Sequence, residues 1–71
     1  MNNTLEDLAM EYDRSVAVQR QVIESNRKKL LLARKKGNYT EVKRLTTLLQ
    51  VLYDEKSELE EKANRLRNYY S

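Results

Sequence analysis

The chain has 71 residues, 39% of them hydrophobic and 35% charged, with a formal net charge of +3. One Gly and no Pro leave little to interrupt a helix, so the composition predicts an all-α protein without a sheet. The absence of Cys and His excludes disulfides, thiolate nucleophiles, the commonest general base and the commonest transition-metal ligand. We therefore expect no catalytic site, no metal site and no cofactor.

The first helix is predicted over about 4–36. Thr4 and Asp7 have the spacing of a capping box, in which a hydroxyl and a carboxylate satisfy two backbone N–H groups at the start of a helix. A periodic pattern of apolar residues continues from there to Lys36. Gly37 predicts the helix end, because glycine adopts the left-handed conformation of a helix cap without steric cost.

The turn is predicted at 37–38 and the second helix over about 39–70. Asn38 and Glu41 repeat the capping-box spacing, so the second helix begins almost at once. A connection this short requires the two helices to run antiparallel. The prediction is a single helical hairpin over 1–71, with each helix about 48 Å long at about 1.5 Å per residue.

A coiled-coil spacing of alternating three and four residues selects one stripe on each helix. In a hairpin folded at Gly37, facing residues have numbers that sum to about 75, and the two stripes match in this way along their whole length. One facing pair, Gln19 and Lys56, is polar, and such a layer helps to fix helix register. The stripes are Leu5, Ala9, Tyr12, Val16, Gln19, Ile23, Asn26, Leu30 and Ala33, and Val42, Leu45, Leu49, Leu52, Lys56, Leu59, Ala63, Leu66 and Tyr70.

Apolar residues also extend along one side of the predicted helix pair, and we call this side the apolar flank. Its members are Leu8, Val18, Val22, Leu32, Leu48, Val51 and Tyr69. A lone hairpin would expose a patch larger than soluble monomers usually tolerate. We expect two hairpins to bury it as a homodimeric four-helix bundle. The alternatives are that a helix of another protein covers the flank, or that a monomer leaves it exposed.

Charge is unevenly distributed along the chain. Eight basic residues and one acid lie between Asn26 and Thr47, a net charge of +7, whereas the rest of the chain carries −4. This basic loop end is a candidate phosphate-binding surface for RNA or DNA, although head-to-tail pairing with acidic protein surface explains it equally well. The candidate residues for nucleic-acid binding are Arg34, Lys35, Lys36, Lys43 and Arg44.

The overall functional prediction is a small structural or adaptor protein that acts through helix–helix association, with a nucleic-acid accessory protein as the alternative. Adjacent carboxylates such as Glu60 and Glu61 point in different directions on a solvated helix, so we do not expect an enzyme. We also expect no small-molecule substrate. Without a signal peptide or an apolar run long enough to span a bilayer, a cytoplasmic location is predicted.

The turn segment 35–42, followed by Leu45, the run 52–55 and the segment 66–70, resembles small helical-hairpin proteins of Gram-positive prophages and other mobile elements. The resemblance extends over most of the chain. It implies the hairpin fold and no particular activity.

Overall fold

The fold is an antiparallel pair of α-helices. A computed structural model describes residues 4–69, in which α1 spans Leu5–Lys35 and α2 spans Tyr39–Asn68. The helices pack against each other in a rod with dimensions of 51 × 18 × 15 Å. The all-α hairpin is confirmed, and the long dimension agrees with the expected helix length. Tyr70, a member of the predicted stripe on the second helix, lies outside the described residues.

The capping box at the start of α1 is confirmed. The Thr4 hydroxyl oxygen accepts a hydrogen bond from the Asp7 backbone N–H at 3.1 Å, and the Asp7 carboxylate accepts one from the Thr4 N–H at 3.3 Å. Both bonds satisfy N–H groups that have no partner within the helix. The helix therefore begins where the sequence places its cap.

The turn between the helices is a Schellman motif centred on Gly37, whose φ of 68° is left-handed as predicted. The N–H of Gly37 donates to the Arg34 carbonyl at 3.1 Å, and the N–H of Asn38 donates to the Ala33 carbonyl at 2.9 Å. These bonds satisfy carbonyl groups at the end of α1. The chain then reverses direction within three residues, 36–38.

Only one of the two hydrogen bonds of the predicted second capping box forms, so the prediction was wrong for the other. The Asn38 side chain does cap α2, accepting a hydrogen bond from the Glu41 N–H at 3.3 Å. The Glu41 carboxylate does not bond back to Asn38, because that N–H already donates to Ala33 in the turn. Glu41 instead accepts hydrogen bonds from Arg44.

The core lies along the two predicted stripes, whose described members are all buried or half-buried. Leu45 is the largest fully buried side chain, with 1% of its surface exposed. The continuous hydrophobic cluster occupies the half of the rod nearest the turn, with half-buried Val42 and Leu48 packed against it. Its members are Ile23, Leu30, Ala33, Leu45, Leu49 and Leu52.

Polar residues in the stripes obtain partners that the sequence did not indicate. The Gln19 amide donates to the Glu55 carboxylate of the other helix at 3.1 Å, and the Lys56 ammonium donates to Glu60 at 2.6 Å. Both Gln19 and Lys56 are half-buried, so their heads reach carboxylates at the rim of the interface. Buried Asn26 donates to the Val22 carbonyl of its own helix at 2.8 Å.

Candidate interaction surfaces

The apolar flank is one of two sides that border the interface between α1 and α2. If the buried stripe of each helix occupies heptad positions a and d, the flank residues fall at c and g of both helices. In an antiparallel pair the g positions of the two helices border the same side, so the predicted residues share one surface. The hydrogen bond from Arg44 is the largest cause that lowers the pKa of Glu41, and the positive charge of Lys29 adds to this effect. Lys29 and Glu41 both lie at g, so their proximity agrees with this arrangement.

The predicted flank residues have unequal exposure. Leu8, Val18, Val22, Leu32, Val51 and Tyr69 are exposed. Leu48 is half-buried and packs against the core cluster, so its side chain already contributes to the core of the hairpin. Val18 has 59% of its surface exposed, so the contact between α1 and α2 buries little of its side chain. The hairpin alone therefore leaves a large part of this apolar surface in water.

The opposite side, at positions b and e, is more strongly charged next to the interface. Arg67 donates to the Asp13 carboxylate across the two helices. The positive charge of Arg20 also helps to lower the pKa of Glu60, although the hydrogen bond from Lys56 is the larger cause. Charged groups on the two helices thus attract each other directly along this side.

Some exposed apolar side chains lie on this charged side, and none of them belongs to the predicted apolar flank. They are Met10, Leu31, Tyr39 and Tyr53. The heptad positions of these residues, b and e, could have identified them. Tyr53 lines a shallow open groove of about 330 Å³, together with Leu30, Leu49 and the charged residues Arg34 and Asp54. The polar residues Thr46 and Gln50 complete the lining of this groove.

The cations of the basic loop end differ in whether they form an ion pair. Arg44 bonds to Glu41 one turn earlier in α2, with its Nε 3.0 Å from a carboxylate oxygen. This hydrogen bond is the largest cause that lowers the pKa of Glu41, so Arg44 is the predicted phosphate ligand least available to an outside anion. Within residues 4–69, the other four predicted ligands have no ion-pair partner: Arg34, Lys35, Lys36 and Lys43.

Two negative findings concern the described part of the chain. Residues 4–69 contain no group of three or more Asp, Glu, His or Cys side chains placed to hold a metal ion. Neither α1 nor α2 combines the length and apolar character that crossing a bilayer requires.

Comparison with protein-family models, with curated proteins and with solved structures finds no match to this chain.

Proposed function

We propose that this protein is a helix–helix interaction module that pairs with a second copy of itself through the apolar flank, forming a four-helix bundle. The observation that carries this proposal is the exposure of Val18, Val22 and Val51 in the middle of a 51 Å rod. Burying apolar side chains contributes about 25 cal/mol per Å² removed from water. A partner with a matching apolar surface gains the same free energy from its own side chains.

Charge supports an antiparallel arrangement of the two hairpins. The loop end of each rod is basic, whereas at the opposite end the start of α1 is acidic, with four acids and one base over residues 5–14. Parallel rods would place two basic loop ends together, whereas antiparallel rods place each loop end beside the acidic start of the other α1. A two-fold axis through the middle of the apolar flank produces this arrangement and closes the assembly as a dimer.

The direct test is the effect of Val22→Glu on molar mass in solution, measured by light scattering and sedimentation equilibrium. A dimer has twice the 8.5 kDa mass of the chain, and a buried carboxylate at position 22 should convert it to monomer. Leu31→Glu is the matched control, because Leu31 is an exposed apolar residue of the same helix on the opposite side. This control should remain dimeric.

Two results would contradict the proposal. The first is a wild-type chain that stays monomeric at every concentration tested. The second is a dimer that Val22→Glu leaves intact while Leu31→Glu disrupts it, because the interface would then lie on the charged side.

A second candidate function is the binding of nucleic-acid phosphates by the loop end. The observation that favours it is that Arg34, Lys35, Lys36 and Lys43 lack intramolecular counterions in the described chain. Tyr39, with 83% of its surface exposed beside them, offers an aromatic face for stacking. Arg34, Lys35 and Lys43 occupy positions e, f and b, away from the apolar flank, so dimerisation leaves them accessible.

This second candidate predicts salt-sensitive binding of labelled RNA and duplex DNA. About four phosphate contacts should make the logarithm of the affinity for duplex DNA fall with the logarithm of salt concentration at a slope of roughly −3.6. Lys35→Glu/Lys36→Glu should abolish binding, whereas Arg14→Glu/Lys62→Glu, at the other end of the rod, should weaken it far less. Absence of binding at low salt would rule this function out.

A further inference from the structure

α1 carries a second coiled-coil stripe besides the one that α2 buries. Its members follow the same alternation of three and four residues and all are exposed to solvent. At about 1.5 Å per residue, the stripe extends along roughly 36 Å of the helix. The residues are Leu8, Glu11, Ser15, Val18, Val22, Ser25, Lys29 and Leu32.

This stripe has the same chemical character when it is read in either direction. Residues at equal distances from position 20 match as apolar with apolar, acid with base, or small polar with small polar. Two antiparallel copies of α1, related by a two-fold axis near residue 20, would therefore place complementary side chains opposite each other along the whole stripe. The pairs are Leu8 with Leu32, Glu11 with Lys29, Ser15 with Ser25, and Val18 with Val22.

We infer that α1 packs against α1 of a second copy of this chain in this register, with Val18 and Val22 at the centre and two Glu11–Lys29 ion pairs outside them. The inference deepens the proposed self-association and rests on it. A two-fold interface requires each residue to meet its complement on the same surface of the other subunit. The stripe meets that requirement at every position from Leu8 to Leu32.

The available charges agree with this register. Neither Glu11 nor Lys29 forms a side-chain ion pair within residues 4–69, and Lys29 acts on Glu41 of its own chain only from beyond ion-pair distance, so both can pair between subunits. Small Ser15 and Ser25 allow close approach of the two helices between the valine centre and the ion pairs. The arrangement also brings the basic end of each α1 beside the acidic start of the other α1, because the two copies run in opposite directions.

The corresponding stripe of α2 lacks this symmetry. Reversal of this stripe about residue 53 sets Arg44 against Lys62, Leu48 against Glu58 and Val51 against Glu55. We therefore place α1 at the centre of the dimer. Leu48 and Val51 of α2 extend the apolar surface at its edge.

The first test is a charge exchange measured by sedimentation equilibrium at low salt. Glu11→Lys and Lys29→Glu each replace two ion pairs with two like-charge contacts, and each should raise the dimer dissociation constant about tenfold. The double variant Glu11→Lys/Lys29→Glu restores opposite charges and should return to within about threefold of wild type. Circular dichroism checks that every variant remains helical.

The second test is disulfide formation between variants, which is unambiguous because the natural chain has no Cys. Ser15→Cys mixed with Ser25→Cys should yield a cross-linked heterodimer under mild oxidation, since a disulfide needs Cα atoms within about 7 Å. Neither variant alone should cross-link efficiently. Two copies of residue 15 would lie ten residues apart along the axis, about 15 Å.

The outcomes separate this register from self-association in general. If Val22→Glu yields monomer but the double charge variant binds as weakly as the single variants, the dimer stands and the register is wrong. Cross-linking of Ser15→Cys with itself in preference to Ser25→Cys would also overturn the register. If Val22→Glu leaves the dimer intact, the proposed interface fails, and the α1 register fails with it.

Discussion

The half of the hairpin near the turn and the half near the chain ends use different means to hold the same two helices together. Near the turn, large aliphatic side chains form one continuous buried cluster around Leu45. Near the chain ends, the fully buried residues include Ala9 and Ala63, and the larger Leu59 and Leu66 are only half-buried. The surface ion pair between Arg67 and Asp13 supplements the interface there.

The comparison indicates that stability is concentrated near the turn. Burial of large apolar side chains contributes more than exposed ion pairs, whose net value is about 0–1 kcal/mol. The Schellman turn adds to the same half by satisfying the carbonyl groups at the end of α1. We therefore expect the open end to separate first under denaturing conditions.

The largest expected effect is that of Leu45→Ala, which should reduce the free energy of unfolding by about 3 kcal/mol because it leaves a cavity in the aliphatic cluster. Leu66→Ala, in the open half, should cost about 1 kcal/mol because that side chain is already half-exposed. Urea denaturation at one fixed protein concentration, followed by circular dichroism, measures both. Equal losses would show that the two halves contribute alike.

Gly37→Ala should cost about 1 kcal/mol, because an L-residue at a φ of 68° is strained. A Cβ atom at this position would meet no atom within 4 Å, so the loss reports backbone conformation alone. Gly37→Asn should lose less, since Asn adopts the left-handed conformation more readily. A thermal melt in which Gly37→Ala matches wild type would contradict the role of the turn.

Asn26→Leu should raise the free energy of unfolding by roughly 0.5 to 1 kcal/mol and leave the helix pairing unchanged. Within residues 4–69 the one hydrogen-bond partner of the buried Asn26 amide is the Val22 carbonyl of its own helix, so the amide links no described residue of α2, and a leucine would extend the apolar cluster. Urea denaturation measures the gain. A loss of stability would show that Asn26 has a role between the helices that this hydrogen bond does not reveal.

The smallest expected effect is the dependence of stability on pH. Hydrogen bonds from Lys56 and Arg44 lower the pKa of Glu60 and of Glu41 below the ordinary carboxyl value. Their contribution is therefore present above the unfolded pKa of about 4.3 and is lost as pH falls through the lowered folded values. Thermal melts should show a shallow decline in this acidic range. In Glu60→Gln/Glu41→Gln the decline should be smaller, whereas an unchanged decline would assign it to other carboxylates.

Much of the hairpin was predictable from local rules. Thr4, Gly37 and Asn38 act through bonds to residues a few positions away, so short sequence segments contain all the groups required. The buried stripes follow from helical periodicity, which relates residue number directly to direction. The second capping box failed because the turn had already used the Asn38 N–H, and this competition becomes evident only when the turn bonds are known.

The residues of the two candidate interaction surfaces were predictable from the sequence, but the contacts that these residues make were not. Periodicity identified the apolar flank, yet it did not show that Leu48 also packs against the core cluster. Charge counting identified the basic loop end, yet the pairing of Arg44 with Glu41 depends on side-chain conformation in the first turn of α2. The exposure of Tyr53 was not predicted, because this residue lies on the side where charged residues predominate.

The sequence by itself determined the two helices, the site of chain reversal and the residues that face each other, because backbone caps and heptad spacing act through local geometry. Only the tertiary structure decided which partner each interfacial polar group takes: Glu55 for Gln19, Glu60 for Lys56, and Asp13 for Arg67. Those choices depend on how the helices are rotated and which rotamers fit between them. These are properties of the packed pair and not of either segment.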